Sequence, residues 1–431
     1  MIRKAIFGLV MIVVGIAALA AGAVLWLGLR HDHAVAGTSP VVMTAQDPVE
    51  RGRYLAQLGD CRACHTAQGS ADYAGGRAIP TPFGRFYSPN ITPDNETGIG
   101  RWSAEDFWNA LHEGRARDGK LLYPVFPYTN YTRMTRDDSD AIYAYLRSVP
   151  AVHQASRRHD LSFPYSWRVM LVGWRALFFR AAVFQPESGQ STEWNRGAYL
   201  VQGLAHCSAC HEARNALGGV QTRNNPAGGL VLDWYAPVLS AAGEAGVQDW
   251  AAQDIVDLLA SGKSARGSAM GPMAEVVYES LQHGSTADIR AMATYLKSLP
   301  LTARPEPETL PHVLASDWPK VKASGASIYT RHCAQCHGDN GEGRFPAAPA
   351  LAGNRALTMD SAVNPIRIVL FGGYTPGTPG NPRPFGMPPF SAALSKQEIA
   401  DVLSYVRQSW GNDARPLTAV EVERNSGGPL W

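Results

Sequence analysis

The chain has no cysteine to spare. All six cysteines fall in three runs of one form: Cys61-Arg-Ala-Cys64-His65, Cys207-Ser-Ala-Cys210-His211 and Cys333-Ala-Gln-Cys336-His337. None is left for a separate disulfide framework. An excess of charge is missing too. Lys+Arg 39 against Asp+Glu 37 leaves a net charge of +2, which gives no reason to expect nucleic acid as a partner. There is no Rossmann glycine fingerprint, no Ser–His pattern and no further metal cluster, so any chemistry has to come from the cysteine runs. Disorder is excluded by 45% hydrophobic and 18% charged residues. Gly 42 and Pro 30 point to short helices joined by long turns. The 431 residues suffice for about three domains.

What is present begins at the N-terminus. Arg3 and Lys4 precede residues 5–29, which carry no charge. That run is long enough for a bilayer core of about 30 Å. A cleaved signal has a shorter apolar region and a small-x-small exit. Residues 18–20, Ala-Leu-Ala, could serve as such an exit, but the run continues through Trp26 and Leu29. An uncleaved anchor over 1–30 is therefore expected, with cleavage as the alternative. The positive-inside rule places Arg3 and Lys4 in the cytoplasm and the rest outside.

Beyond the anchor one unit recurs. "RGRYLAQLGDCRACH" (51–65) parallels "RGAYLVQGLAHCSACH" (196–211), and "GASIYTRHCAQCH" (325–337) is a looser copy. Each unit closes alike, with "AIYAYLRSVP" (141–150), "AMATYLKSLP" (291–300) and "DVLSYVRQSW" (401–410). In them Ile142, Tyr145 and Leu146 make the apolar stripe of a helix, as do Met292, Tyr295 and Leu296, and Val402, Tyr405 and Val406. Ser395 and Glu398 form a capping-box pattern, and Asp137, Asp138 and Asp288 mark the other starts. A Pro-x-Ile/Leu element follows each cysteine run, at Pro89, Pro237 and Pro349. Helices are also expected over 103–114 and 251–262, each ending in glycine.

The expected fold is mainly α, with three tandem units at 44–150, 191–300 and 321–411 behind the anchor. Residues 301–320 read as a Pro-rich linker and 412–431 as a tail. Segment 151–190 is an amphipathic linker. Its apolar, aromatic part at 165–181 carries Arg168 and Arg175 seven apart, which suits a helix on a membrane surface or one packed between domains.

Three chemistries compete for the Cys-x-x-Cys-His run. A zinc site needs two more ligands, and no matching pair recurs. A redox dithiol wants a thioredoxin-like βαβ setting and gives the histidine no task. Haem attachment uses every residue: two thiols form thioethers to the porphyrin vinyls, and the next histidine reaches the iron. Three copies behind an export segment favour haem c, three per chain, with His65, His211 and His337 as proximal ligands. An oxidising compartment fits, because free thiols there would otherwise form disulfides.

A sixth ligand is then needed. The first unit offers Met134, the second Met270 or Met273, and the third Met387, with Met359 less suitably placed. Counting back from the last helix favours Met273 over Met270. Met134 lies nearer its helix than the other two. Thioether ligation closes the iron and points to electron transfer. His206 and His332, directly before their cysteines, read as surface or propionate-side donors.

The stretches "GRYLAQLGDCRACHT", "YSPNITPDNETGIGRWS", "WNRGAYLVQGLAHCSACH", "GPMAEVV" and "GMPPFSAALS" span nearly the whole chain after residue 44. In them the chain resembles the three-haem cytochrome c subunits of membrane-bound periplasmic dehydrogenases acting on alcohols, gluconate, polyols or aldehydes. The resemblance implies class I cytochrome c-like domains, distal ligands at Met134, Met273 and Met387, and carbonyls at Pro89, Pro237 and Pro349 that orient the proximal imidazoles. It also implies a dehydrogenase catalytic subunit of quinoprotein, flavin or molybdenum type as partner. The acceptor would be ubiquinone, at an inner membrane with the haems facing the periplasm. The long apolar start departs from relatives with a cleaved signal. Two other functions remain in play: a tethered cytochrome feeding a terminal oxidase, and a haem enzyme with one open iron.

Overall fold

The computed structural model describes residues 2–30, 47–220, 228–302 and 312–427. Part of the expected linker at 301–320 and the last residues of the tail lie outside them.

Helix α1 (Ile2–Leu29) has 28 residues, a length of about 42 Å. Its segment Leu9–Leu29 is long and apolar enough to cross a membrane and buries none of its surface in the protein, save near its end. That end is docked. Arg115 donates to the Leu29 carbonyl at 2.5 Å, and Arg175 donates to the Gly28 carbonyl at 3.0 Å. Two guanidinium groups thus satisfy carbonyls that a helix C-terminus leaves without partners, at its negative end.

The rest is built on one helix crossing made three times. α2 (Pro48–Leu58) crosses α5 (Arg136–Ser148), α7 (Thr192–Tyr199) crosses α11 (Thr286–Ser298), and α12 (Trp318–His332) crosses α15 (Lys396–Arg407). A glycine sits at each crossing. A Cβ on Gly52 would lie 1.8 Å from the Ala141 carbonyl, on Gly197 1.9 Å from that of Ala291, and on Gly325 2.3 Å from that of Asp401. No side chain fits there, which accounts for the repeated glycine. The closing helices are capped alike by Thr135, Ser285 and Ser395, whose hydroxyls accept from the amides of Asp138, Asp288 and Glu398.

Between the crossings lie short elements. α3 (Cys61–His65), α8 (Ser208–His211) and α13 (Ala334–His337) carry the cysteine runs. The helix expected over 103–114 is α4 (Ala104–Glu113), with a capping box at Ser103 and Asp106 and a left-handed Gly114. That over 251–262 is α9 (Ala252–Ser261), ended by a left-handed Gly262. α10 (Pro272–Glu279) and α14 (Val363–Phe371) complete the second and third units. Sheet is minor. β1 (Ala78–Thr81), β2 (Gly84–Tyr87) and β3 (Asp160–Leu161) form an antiparallel ribbon in that order. β4 (Gly373–Tyr374) pairs with β5 (Gly386–Met387).

The second copy of the repeat is one residue longer between its glycine and its first cysteine than the first copy. The fold absorbs the extra residue as a π-helical turn over Leu200–Leu204, closed by the Ala205 amide on the Leu200 carbonyl at 2.8 Å.

The first two crossings share one core, which joins Leu55, Ile142 and Leu146 to Tyr199, Leu200, Met292 and Leu296. A reciprocal exchange holds them together. Arg51 pairs with Asp138, and Tyr199 of the second unit donates to Asp138 at 2.5 Å. Arg196 pairs with Asp288, and Tyr54 of the first unit donates to Asp288 at 2.7 Å. Arg51 and Tyr54 flank Gly52 as Arg196 and Tyr199 flank Gly197, so the repeat pairs about a local two-fold. In the third unit Ser324 and Ser327 take those places, and the exchange cannot be made. That unit keeps its own core around Ile328, Ile366, Leu403 and Val406. It joins the second through the Asn364 amide and Tyr235 backbone, at 2.9 and 2.8 Å, and through Lys263 and Asn381 at 2.8 Å.

Segment 165–181 folds as α6 (Met170–Phe178) and packs on α1. Arg175 turns inward, while Arg168 stays exposed and reaches back to a backbone carbonyl. Arg168 donates to the Leu121 carbonyl at 2.7 Å, and Arg175, 3% exposed, bonds Gly28 and Glu113 carbonyls. Phe163, Trp167, Val169, Met170 and Leu177 face out beside the exposed Arg168.

Candidate haem sites

In each unit a short helical turn carries the second cysteine and the histidine on one exposed edge of the core. The imidazole is then fixed from behind. His65 Nδ1 lies 2.8 Å from the Pro89 carbonyl, His211 Nδ1 2.7 Å from that of Pro237, and His337 Nδ1 3.0 Å from that of Pro349. The same bond is made across sequence separations of 24, 26 and 12 residues. A carbonyl can only accept, so Nδ1 carries the proton and Nε2 keeps its lone pair. Burial pushes all three imidazoles below their ordinary pKa, which keeps them neutral.

The thiols are equally informative. None of the six is in a disulfide. Burial raises Cys61, Cys64 and Cys207 to about 12 and Cys333 to about 11, and also raises Cys210. Reactive and redox cysteines show the opposite shift. Among the described residues no group of three His, Cys, Asp or Glu could hold a metal ion. Two free thiols beside an imidazole whose Nε2 keeps its lone pair fit a porphyrin attached through its vinyls better than a zinc site or a dithiol switch.

The first and second runs lie back to back. Cys210 is among the charges felt by Cys64, and Asp60 acts on both. Arg77 bonds the Ala63 carbonyl at 2.6 Å and Glu275 of α10 at 2.8 Å, while Arg62 pairs with Glu279. Asp60 and His206, each directly before its first cysteine, have positive φ of 55° and 40°. His206, expected as a surface or propionate-side donor, is half-buried. Its ring is wedged at this seam, 5.4 Å from that of Tyr131, with its pKa lowered to about 4 by burial. His332 lies in the last turn of α12 and is exposed. Asp60 was not singled out from the sequence. It is 8% exposed, its Oδ1 has no partner, and burial, then Glu275 and Glu279 against Arg77, raises it well above a carboxyl's usual range.

The methionines divide. Met387 lies half-buried on β5 against the third core, and Met273 at the start of α10 against the shared core. Met270 turns the other way, its methyl close to Gly373 of the third unit. Met359 is buried where its carbonyl accepts from Arg407 at 3.0 Å. Met134, 1% exposed, directly precedes the cap Thr135.

The Cytochrome c family model matches residues 49–150 and 323–410, on either side of the second run. Relatives cover the middle as well. The chain is 39% identical over 403 residues to the alcohol dehydrogenase (quinone) cytochrome c subunit of Gluconobacter oxydans, covering 89% of this chain and 83% of that one. It is 38% identical to the gluconate 2-dehydrogenase cytochrome c subunit of Pantoea cypripedii, over 87% and 88%. It is 41% identical to a nicotinate dehydrogenase subunit of Pseudomonas putida over 85% of its own length, but spans only 30% of that longer protein. With its residues matched over nearly nine-tenths of the chain, this protein belongs to the cytochrome c family, among the cytochrome c subunits of dehydrogenases.

Proposed function

We propose that the chain is a three-haem electron-transfer subunit. It takes electrons from a dehydrogenase catalytic subunit in the periplasm and delivers them to ubiquinone at the membrane. The observation that carries this reading is the threefold recurrence of one geometry, two free thiols and an imidazole bonded through Nδ1 to a proline carbonyl. Haem c supplies reversible one-electron chemistry when attached at these positions.

The residues do the rest. Cys61 and Cys64, Cys207 and Cys210, and Cys333 and Cys336 hold the porphyrins, and His65, His211 and His337 present Nε2 to the iron. Pro89, Pro237 and Pro349 keep each ring in one orientation and tautomer. Met273 and Met387 would ligate the iron of the second and third haems, and Met134 is the methionine that the sequence offers for the first. The three units run over 44–150, 191–300 and 321–411. The shared core and the contact of the first two runs support short passage between the first pair of haems. The separate core of the third unit suits a haem that meets a different partner.

Helix α1 is the membrane anchor, with its N-terminus cytoplasmic. The outward residues of α6, beside the docked end of α1, support an orientation in which that face rests on the bilayer. The partner dehydrogenase is of quinoprotein, flavin or molybdenum type.

Detergent extraction of the native membrane complex tests the reading. The chain is expected to co-purify with a dehydrogenase subunit and to support substrate-dependent reduction of a soluble ubiquinone analogue, lost when Cys64 and Cys210 are replaced by alanine. Co-purification with a terminal oxidase, and no quinone reduction, would overturn it.

A further inference from the structure

The first haem differs from the other two in what stands opposite its histidine. This rests on the three-haem reading. The distal loops can be compared by register from the cap of the closing helix, because all three caps are built alike. In the third unit Met387 lies eight residues before Ser395 and is followed by Pro388. In the first unit Pro127 lies eight before Thr135, and Phe126, one place earlier, is the residue that precedes the loop proline as Met387 does; in the second unit Met273 lies twelve before Ser285 and follows Pro272. Phe126 is half-buried, packs on the same core as Cys61, and stacks against Tyr131 at 5.5 Å.

Met134 occupies another slot, the residue directly before the cap. The third unit has Leu394 there, 7% exposed and part of the core. The second unit has Gly284, which has no side chain to offer. A position filled elsewhere by leucine and glycine is a packing position. The neighbours of Met134 agree. The Arg133 carbonyl accepts from the Phe184 amide at 2.9 Å, and the Thr135 amide donates to the Tyr199 hydroxyl at 3.3 Å. The chain around Met134 is thus fastened to the linker at Phe184 and to the second unit at Tyr199.

His112 and the nearby tyrosines are held in contacts of their own. His112 stacks on Trp108 at 4.4 Å, with Nδ1 against the Thr132 carbonyl at 2.9 Å. It is Phe107 and Leu111 of the same helix that join the core. The Tyr131 hydroxyl donates to the Gly59 carbonyl at 2.7 Å, and the Tyr73 hydroxyl meets that of Tyr145 at 3.4 Å.

We propose that the first haem has no methionine ligand: Met134 is a core residue, Phe126 covers the distal face, and the sixth position is open to small neutral ligands such as carbon monoxide. Loss of the thioether also removes the interaction that raises haem potential, so this centre has the lowest potential of the three.

The test uses the full-length holoprotein in detergent. Haem per chain is counted first, by alkaline pyridine spectrum. Fewer than three overturns the three-haem reading on which the inference stands. With three present, the red thioether-to-ferric-iron absorption is expected at about two-thirds of the strength of an all-methionine set, and carbon monoxide is expected to shift the reduced spectrum of about one haem in three. Met134→Leu should leave both unchanged. Phe126→Met should raise the thioether absorption by about half and abolish the carbon monoxide shift. A thioether signal from all three haems, its fall by about one-third in Met134→Leu, or no carbon monoxide binding would overturn the proposal.

Discussion

Replacing Asp288 by asparagine should unfold the first two units together and leave the third in place. Asp288 accepts from Arg196 Nε and Nη2, both at 2.8 Å, and from the Tyr54 hydroxyl at 2.7 Å. The side chains of Arg196 and Asp288 are 3% and 1% exposed. Asparagine keeps the shape and one acceptor but turns an amide donor toward donors, and it leaves the guanidinium buried without a counter-charge. Breaking such a pair from one side costs about 3–5 kcal/mol. At about 2–4 °C per kcal/mol for a cooperative body of this size, the midpoint should fall by roughly 6–20 °C. The symmetry-related Asp138→Asn should cost less, because the Arg51 side chain keeps 21% of its exposure and can be hydrated. Arg196→Met with Asp288→Asn should recover part of the loss, since no buried charge then remains. The assay is thermal melting of the holoprotein followed by Soret circular dichroism. Two transitions are expected, of which only the one from the first two haems moves. An equal shift of both transitions, or a change under about 1 kcal/mol, would refute the argument that the reciprocal pairs bind these units and not the third.

Other outcomes follow from single contacts. Gly325→Ala places a methyl 2.3 Å from the Asp401 carbonyl, so the third unit should lose its haem signal on mild heating while the first two keep theirs. Asp60 has a folded-state pKa above its unfolded value, so it lowers stability as pH rises through the range between the two. Asp60→Asn should therefore match the parent below about pH 4 and exceed it in melting temperature at neutral pH. A constant gap at all pH values would count against this. Arg175→Gln removes a buried cation from the Gly28 carbonyl, and cleavage by added trypsin at Arg30 should become faster, read as quicker loss of the full-length chain.

Much of this was legible because its causes are local. Helix ends at Gly114 and Gly262, the capping box at Ser395, and the stripes at Ile142 and Met292 depend on neighbours within a turn or two, and periodicity reports them. The cysteine runs carry their chemistry in adjacent residues. What was not legible depends on distant partners. Arg168 and Arg175 suited either a surface helix or one packed between domains, and only the Gly28 carbonyl, far off in sequence, explains why Arg175 is buried. The repeated Arg-Gly-x-Tyr was visible, yet its reason, each tyrosine serving the other unit's aspartate, needs the two units packed. The ribbon at 78–87 and 160–161 is too short to show alternation. Asp60 and His206 carry no local signal for a seam that forms only when two runs meet back to back.

The central claim is that each Cys-x-x-Cys-His run holds a haem. Intact-mass measurement of the purified chain under denaturing conditions, after treatment with a thiol-alkylating reagent, addresses it directly. The account predicts the polypeptide mass plus three haems and no alkylated cysteine among the six. Fewer haems, with alkylation at the matching pair of cysteines, would contradict it.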